Sequence, residues 1–582
     1  DRSPGDATAI GPANSGGSIN LLSKDLAADP LIQGTISYGS WNTRLLQADF
    51  FSGPFGGVQK RSNLLLNLHQ LSSDGYQTYN FQNRWAGSAK YQYRITDNTV
   101  LTAFTGVVDL AANTPNVKGP TRAQVAQFGN NYLLNNNPND PLYYNYNNYQ
   151  IPTDFDYLGL NTYLGGGWHL DTKAYSNRYY NHQQYNNGTS ITTTSATDKL
   201  NSYRKVGDTI SATQDSKWGT FRAGFWYEWA NTDRYQTPTD PRTFIVTLTP
   251  NFHEKFITQS AQPFVQYEYR ATSKLTITGG FRMSSYRMHL NQFSDNGKTI
   301  GCINGKVVSG ICVGGLDFVT HDGNYKSYQP TADARYRVQK NWSIYGQFAT
   351  GNVIPPSSVF DVKNAQVKTT PDPTFTKSFQ VGSVYKTNRF TLDADFYLLH
   401  AGNAYASAPD PVTGEPVYYK TPNTHTKGFE VEGNLVLGHG LFLYGNTTVG
   451  RARYEDTQKY VASSPTDTET VGLTYLRKNW DIGFFNKRIG TMYNDNGGAN
   501  QAIQIDPFNI TNLFINYTIK QSSHFRGTKF RVGINNLFDR HNIVGVTAAS
   551  TATNLPQPGD FLSIMAGRSV SVAMTFGFAP HR

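Results

Sequence analysis

Along this 582-residue chain, apolar and polar residues alternate with a period of two, the spacing that sends successive side chains to opposite faces of a β-strand. The clearest run is the last: Val570, Val572, Met574, Phe576 and Phe578 share one face, and Ser569, Ser571, Ala573, Thr575 and Gly577 the other. The same pattern sets Phe390, Leu392, Ala394, Phe396 and Leu398 against Thr391, Asp393 and Asp395, and Leu275, Ile277, Phe281 and Met283 against Thr276, Thr278 and Arg282. Each run has about the ten residues that a tilted strand needs to cross hydrocarbon. No stretch approaches the roughly 18 apolar residues of a membrane-spanning helix. If the chain enters a membrane it does so with strands, and only a closed barrel leaves no backbone edge unpaired there.

The connectors separate a barrel from a soluble sandwich. Tight turns fall at residues 53–57, 96–98, 165–167, 216–219, 271–274, 339–341, 386–388, 438–440 and 477–479, with a looser one near 520–527. Between successive turns lie two alternating segments joined by a longer polar loop, the longest spanning 110–152, 232–256, 288–324 and 536–567. Short turns on one side and long loops on the other define an outer-membrane barrel, turns periplasmic and loops extracellular. The expectation is an all-β fold: a large antiparallel transmembrane β-barrel of about 22 strands over residues 31–578, with 579–582 as a short extension. Such a barrel encloses a lumen wide enough to need a plug. Trp168, Trp218, Trp342 and Trp480 all stand at or beside the assigned periplasmic turns, where a ring that is apolar with one polar N–H belongs.

Composition agrees with this reading. Aromatic residues make up 14% of the chain, with Tyr 37 and Phe 34, as β-rich amphipathic strands require. The net charge is +10, but the Lys and Arg form no run or stripe, which argues against a nucleic-acid footprint and fits contact with anionic lipid or a lumen that attracts anions. Asp1 opens the chain without a charged-then-apolar leader, so a signal peptide, if there was one, has been removed. The cysteines, Cys302 and Cys312, sit in one Gly-rich segment, and a local disulfide in an oxidising compartment is expected.

Residues 11–24, GPANSGGSINLLSK, resemble the sequence that ends the plug domain of TonB-dependent outer-membrane receptors, with Gly11, Gly16, Gly17, Ile19, Asn20 and Lys24 matching. YGQFATGNVIPP (345–356), KGFEVEGNLVL (427–437) and NNLFDRHNIVG (535–545) resemble further segments of that family, so the likeness runs the length of the chain. It implies that residues 1–30 are the C-terminal end of a plug, preceded in the gene by the rest of that domain. It also implies high-affinity uptake of a scarce solute, most often an iron chelate. The partners implied are a small-molecule or metal-chelate ligand, outer-membrane lipid, and TonB with its inner-membrane complex, whose contacting segment is not in this chain. No cofactor is implied. A passive channel and a receptor for an oligosaccharide or a cobalamin-like cofactor are the alternatives.

Candidate ligand groups are the tyrosines of PLYYNYNNYQ, Tyr143, Tyr144, Tyr146 and Tyr149, in a long extracellular loop, where amphipathic rings offer area at low entropic cost. Histidines expected in loops are His182, His253, His321, His425 and His541, of which His182 and His321 join the tyrosines as candidate ligand groups. None has a second His at helical spacing or a Cys partner, so no metal site is expected. Ser15 in ANSGGS looks like a protease nucleophile but lacks a recognisable His and Asp context, and no G-x-S-x-G, H-E-x-x-H or P-loop occurs. The chain is therefore not expected to be an enzyme.

Overall fold

The computed structural model describes residues 5–11, 21–115, 119–186, 190–246, 248–295, 298–299, 306–308, 311–313, 319–354, 372–409, 416–494, 503–520, 527–549 and 553–578. Twenty-two strands build one barrel. The first seven are β1 (Leu31–Gly39), β2 (Thr43–Phe51), β3 (Ser62–Ser73), β4 (Gln82–Thr96), β5 (Thr99–Asn113), β6 (Asn147–Gly165) and β7 (Trp168–Asn186). Then come β8 (Ala196–Ser216), β9 (Gly219–Thr239), β10 (Phe252–Arg270), β11 (Leu275–Asp295), β12 (Val319–Gln339), β13 (Trp342–Val353), β14 (Thr374–Lys386) and β15 (Phe390–Gly402). The last seven are β16 (Thr424–Gly438), β17 (Leu441–Tyr454), β18 (Asp467–Arg477), β19 (Trp480–Ile489), β20 (Phe508–Thr518), β21 (Lys529–Asn535) and β22 (Ser569–Phe578). Each pairs antiparallel with its sequence neighbours. β22 returns to β1 through Ile32↔Phe578 to Gly39↔Ser571, which closes the ring. A two-residue strand, Lys298–Thr299, adds a short return on β11 within the same sheet.

The alternation fixes which face is which. On β22, Val570, Val572, Met574, Phe576 and Phe578 all stand exposed on the outer wall, as do Phe396 and Leu398 on β15 and Ile277 and Phe281 on β11. Their alternates, such as Arg282, Asp395 and Thr575, are buried toward the interior. All ten expected periplasmic turns join the strand pairs assigned to them. At Gly165, Gly166 and Gly167 the chain reverses with φ of 86°, 60° and 81°, a region that side chains with a Cβ rarely enter. A Cβ on Gly167 would stand 2.2 Å from the Asp215 carbonyl oxygen, so that glycine is fixed by close approach as well. Trp168, Trp342 and Trp480 each open a strand at the turn side, and Trp218 lies in the turn between β8 and β9.

Two sequence expectations need correcting. Strands β6 to β12 run 19 to 21 residues, about twice a membrane crossing, and shorten the adjoining loops to 114–146, 240–251 and 296–318. His182, His253, His321 and His425 consequently lie in β7, β10, β12 and β16 rather than in loops; His541 alone of the five lies in one. The ladder of backbone hydrogen bonds continues into water, where polar side chains replace the outer apolar belt while aromatic and apolar ones such as Phe256, Met288 and Leu290 enter the inner face, so the simple alternation disappears from the sequence. Secondly, β1 and β2 are joined on the loop side by only Ser40, Trp41 and Asn42, the last two with φ of 58° and 52°. Residues 21–30, which lead into β1, carry no strand.

Three long connections pack together above that low wall. A seven-residue helix, α1 (Arg122–Phe128), is capped by Thr121, whose hydroxyl accepts from the Gln124 N–H while the Gln124 side chain accepts from the Thr121 N–H. It docks on the β21–β22 connection through the Arg122 N–H to the Asp560 carbonyl (3.0 Å), the Ala123 N–H to the Pro558 carbonyl (3.0 Å) and the Leu562 N–H to the Pro120 carbonyl (2.8 Å). Beneath it Met492, Ile503, Ile505, Val546 and Leu562 form a core of their own, with Val125 against it. The Arg122 Nε lies 3.0 Å from an Asp560 carboxylate whose side chain is fully buried. Burial works against that charge, but the Ala549 and Gln557 N–H groups and the Arg122 guanidinium outweigh it and hold the carboxyl below its usual range.

Candidate functional site

The described N-terminal residues, 5–11 and 21–30, meet the inner wall of the barrel in two places. Residues 5–11 run along β10 and β11. The Gln266 Oε1 accepts from the Ala7 N–H (3.1 Å), the Gln262 Oε1 from the Gly11 N–H (2.9 Å), and the buried Arg282 donates to the Ala9 carbonyl and to Gln329 Oε1. Further on, Lys24 pairs with Asp49 at 2.8 Å, Lys90 donates to the Lys24 carbonyl (3.1 Å), and Asn63 donates to the Ala27 carbonyl (2.9 Å). Arg282 thus faces interior protein, as its place in the alternation implies.

Directly toward the extracellular side of that first contact, on the inner faces of β8 to β12, is a cavity of about 330 Å³. Its lining includes Tyr203, Lys205, Glu228, Phe256, Tyr286, Met288 and Tyr325. Glu228 is held from two sides: the Tyr175 hydroxyl donates to Oε2 (2.8 Å) and Lys205 Nζ to Oε1 (3.0 Å). The Trp226 Nε1–H in turn donates to the Tyr175 oxygen (2.9 Å). Tyr203 stacks on Tyr179 at 5.1 Å between ring centroids, and Tyr286 lies 5.9 Å from Tyr325. A pocket with aromatic walls and a few convergent polar groups is what orients an organic ligand. A cation and a carboxylate already paired within it can exchange partners with a charged ligand without a new charge being buried.

The tyrosines and histidines singled out in the sequence do not converge. Tyr144 packs against Tyr79 (5.7 Å, stacked) and Phe81, Tyr143 makes edge contacts with Tyr144 and Tyr146, and the buried Tyr146 donates its hydroxyl to the Pro138 carbonyl at 2.9 Å. These three hold the β5–β6 connection together. Tyr149 in β6 accepts from Asn181 (3.2 Å) on the inner face. His182, one residue along in β7, points outward to Asp198 (2.7 Å). His321 stands opposite the buried Leu290 on the inner face, far around the ring from Tyr149. His541 meets the Tyr76 hydroxyl at 3.1 Å. Of the N-terminal motif, Gly11 and Lys24 make the contacts above. Gly16, Gly17, Ile19 and Asn20, and Ser15, lie outside the described residues. So does Cys302; Cys312 sits in a short hairpin strand, Ile311–Val313, of which only the backbone is described. Among the described residues no three His, Cys, Asp or Glu side chains are grouped to hold a metal ion.

Glu228, Lys205, Trp226 and Tyr286 were not singled out from the sequence. The signal was present: read two residues at a time, the inner faces of β8 to β11 change from small polar residues to aromatic and charged ones toward the extracellular end. Only knowledge of which strands adjoin turns that into a site.

A closed 22-strand barrel with an apolar outer belt and chain threaded through its lumen is the architecture of an outer-membrane transport receptor. Residues 106–537 match the family model described as TonB dependent receptor-like, beta-barrel, and the chain belongs to that family, one of transport receptors rather than enzymes. No curated protein matches in a sequence search. Among solved structures, the chain is similar to the unliganded ferric citrate transporter FecA (TM-score 0.77, 14% identity, covering 98% of this chain and 82% of that one). It is also similar to the closed form of the ferric-catecholate import receptor Fiu from E. coli K12 (0.75, 14%, 99% and 85%). A third is the ferric yersiniabactin uptake receptor FyuA from Yersinia pestis (0.75, 13%, 97% and 82%). At such identities the likeness is one of fold.

Proposed function

We propose that this protein is a bacterial outer-membrane receptor that takes up a ferric chelate with energy delivered through TonB, and that residues 1–30 are the end of its plug. The observation that carries the reading is the cavity of aromatic rings around the Lys205–Glu228 pair, seated on the extracellular side of residues 5–11. A chelate bound there lies against the segment that must move for it to pass, which couples capture to transport. Ferric-chelate import, the function of the similar structures, supports the cargo class.

The test is binding by the purified full chain, read from quenching of tryptophan fluorescence by ferric catecholates, hydroxamates and citrate. Trp226, tied into the Tyr175–Glu228 cluster, is the expected reporter, and Trp226→Phe should remove most of the signal. Binding by none of the three chelate classes would sink the iron reading and turn attention to an oligosaccharide or cobalamin-like cargo.

A further inference from the structure

The outer wall of β14 to β17 carries a cluster that neither lumenal binding nor plug contact uses. Register places Lys377 directly opposite His400, His400 opposite His425, and His425 opposite Arg453. One step toward the membrane, Lys427 stands directly opposite Arg451. All are on the outer face, since they alternate in step with the exposed Phe379, Leu398, Phe429 and Val449. Like charges directly opposite across a strand pair are destabilising, and among the described residues the carboxylates nearest to these are engaged by other partners. Glu455 is taken by His400 (2.8 Å). On the neighbouring β18, Asp467 and Glu469 are both held by Arg488. Among the described residues Lys427 and Arg451 have no ion pair, and both are exposed.

The cluster has a position as well as a charge. It caps the extracellular end of an apolar stripe made by Phe379, Phe396, Leu398, Phe429 and Val449, each between 41% and 55% exposed. Side chains that snorkel from a barrel wall toward headgroups would account for scattered cations, but not for cations set face to face.

The geometry points to a bound lipid: we propose that Lys377, Lys427, Arg451 and Arg453 form a site for a phosphate-bearing lipid of the facing leaflet. Its phosphate bridges the Lys427–Arg451 pair and its acyl chains lie along the Phe396–Phe429 stripe. A phosphate accepts from guanidinium in bidentate fashion and from ammonium as a point charge, which converts the opposed cations from a liability into a chelate. The site is independent of the cargo.

Purified full-length protein in neutral detergent, titrated with dioleoylphosphatidic acid and followed by native mass spectrometry, tests this. The expected result is a retained lipid whose affinity falls at least about tenfold in the double variant Lys427→Gln/Arg451→Gln, recovers in the charge-keeping Lys427→Arg/Arg451→Lys, and is not matched by dioleoylglycerol. Should the double variant fail to assemble, the exposed Lys377→Gln alone should lower affinity about fivefold. Equal affinity in wild type and variants, equal binding of dioleoylglycerol, or displacement by millimolar inorganic phosphate as effective as by lipid would each overturn the proposal.

Discussion

Substituting Leu562 by alanine isolates the packing of the extracellular connections from that of the barrel. Leu562 is 2% exposed, in contact with a core built from three separate connections, and its own N–H closes the clasp to Pro120. A buried Leu→Ala change costs about 3 kcal/mol where the surroundings relax only in part. Little of that cost falls on the strand ladder, because no barrel strand supplies the five buried members of this core and only Ile489 and Phe508, at the ends of β19 and β20, pack against it from the wall. At about 1.36 kcal/mol per decade, local opening becomes roughly a hundredfold more frequent. Hydrogen exchange should therefore show protection of the Leu562, Arg122 and Ala123 amides falling by about two decades, while amides in the middle of β9 and β10 keep theirs. Unchanged protection at those three amides would refute the view that this core holds the connections together. An equal loss throughout the barrel would refute its independence.

Other outcomes follow from single contacts. The Asp560 carboxyl is held below its unfolded value of about 3.9, so its contribution is complete above about pH 4 and is lost as pH falls through the folded value. Protection of the same amides should drop on acidification below pH 4 in wild type, and Asp560→Asn should start lower and lose that dependence; a variant with unaltered pH dependence contradicts the assignment. Arg282→Met removes the guanidinium that ties residue 9 to β11, so a cysteine placed at the fully buried Ala7 should react with a soluble thiol reagent at least about tenfold faster in that background; equal rates would mean the segment is held elsewhere. Val381, 66% exposed, sits mid-belt on β14, and Val381→Arg should cost about 2–4 kcal/mol of barrel stability in lipid. The inward neighbour Gln380→Arg should cost under about 1 kcal/mol; the reverse order, measured by urea unfolding in vesicles, would invert the face assignment.

The strand period, the ten turns and the tryptophans beside four of them determined the barrel from the sequence alone, because lipid imposes one rule on every crossing: apolar outside, closed edges, short periplasmic turns. Where that constraint ends, so did the legibility. Toward their extracellular ends strands such as β6 to β12 and β16 leave the belt, the outer face turns polar and the inner face mixed, and four histidines of strands looked like histidines of loops. The lumenal cavity was hidden for a related reason. Lys205, Glu228 and Tyr286 lie on β8, β9 and β11, and Tyr175, which orients Glu228, on β7; nothing in their spacing along the chain shows that neighbouring strands bring them to one level. Tyr143, Tyr144 and Tyr146 erred in the other direction, a dense aromatic string whose rings are spent on one another. Only the tertiary structure decided which groups meet: closure of the sheet brings Thr35 to Thr575, hundreds of positions away, the lumenal path of the N-terminal residues brings the Ala7 N–H to Gln266, and strand register sets Lys427 against Arg451.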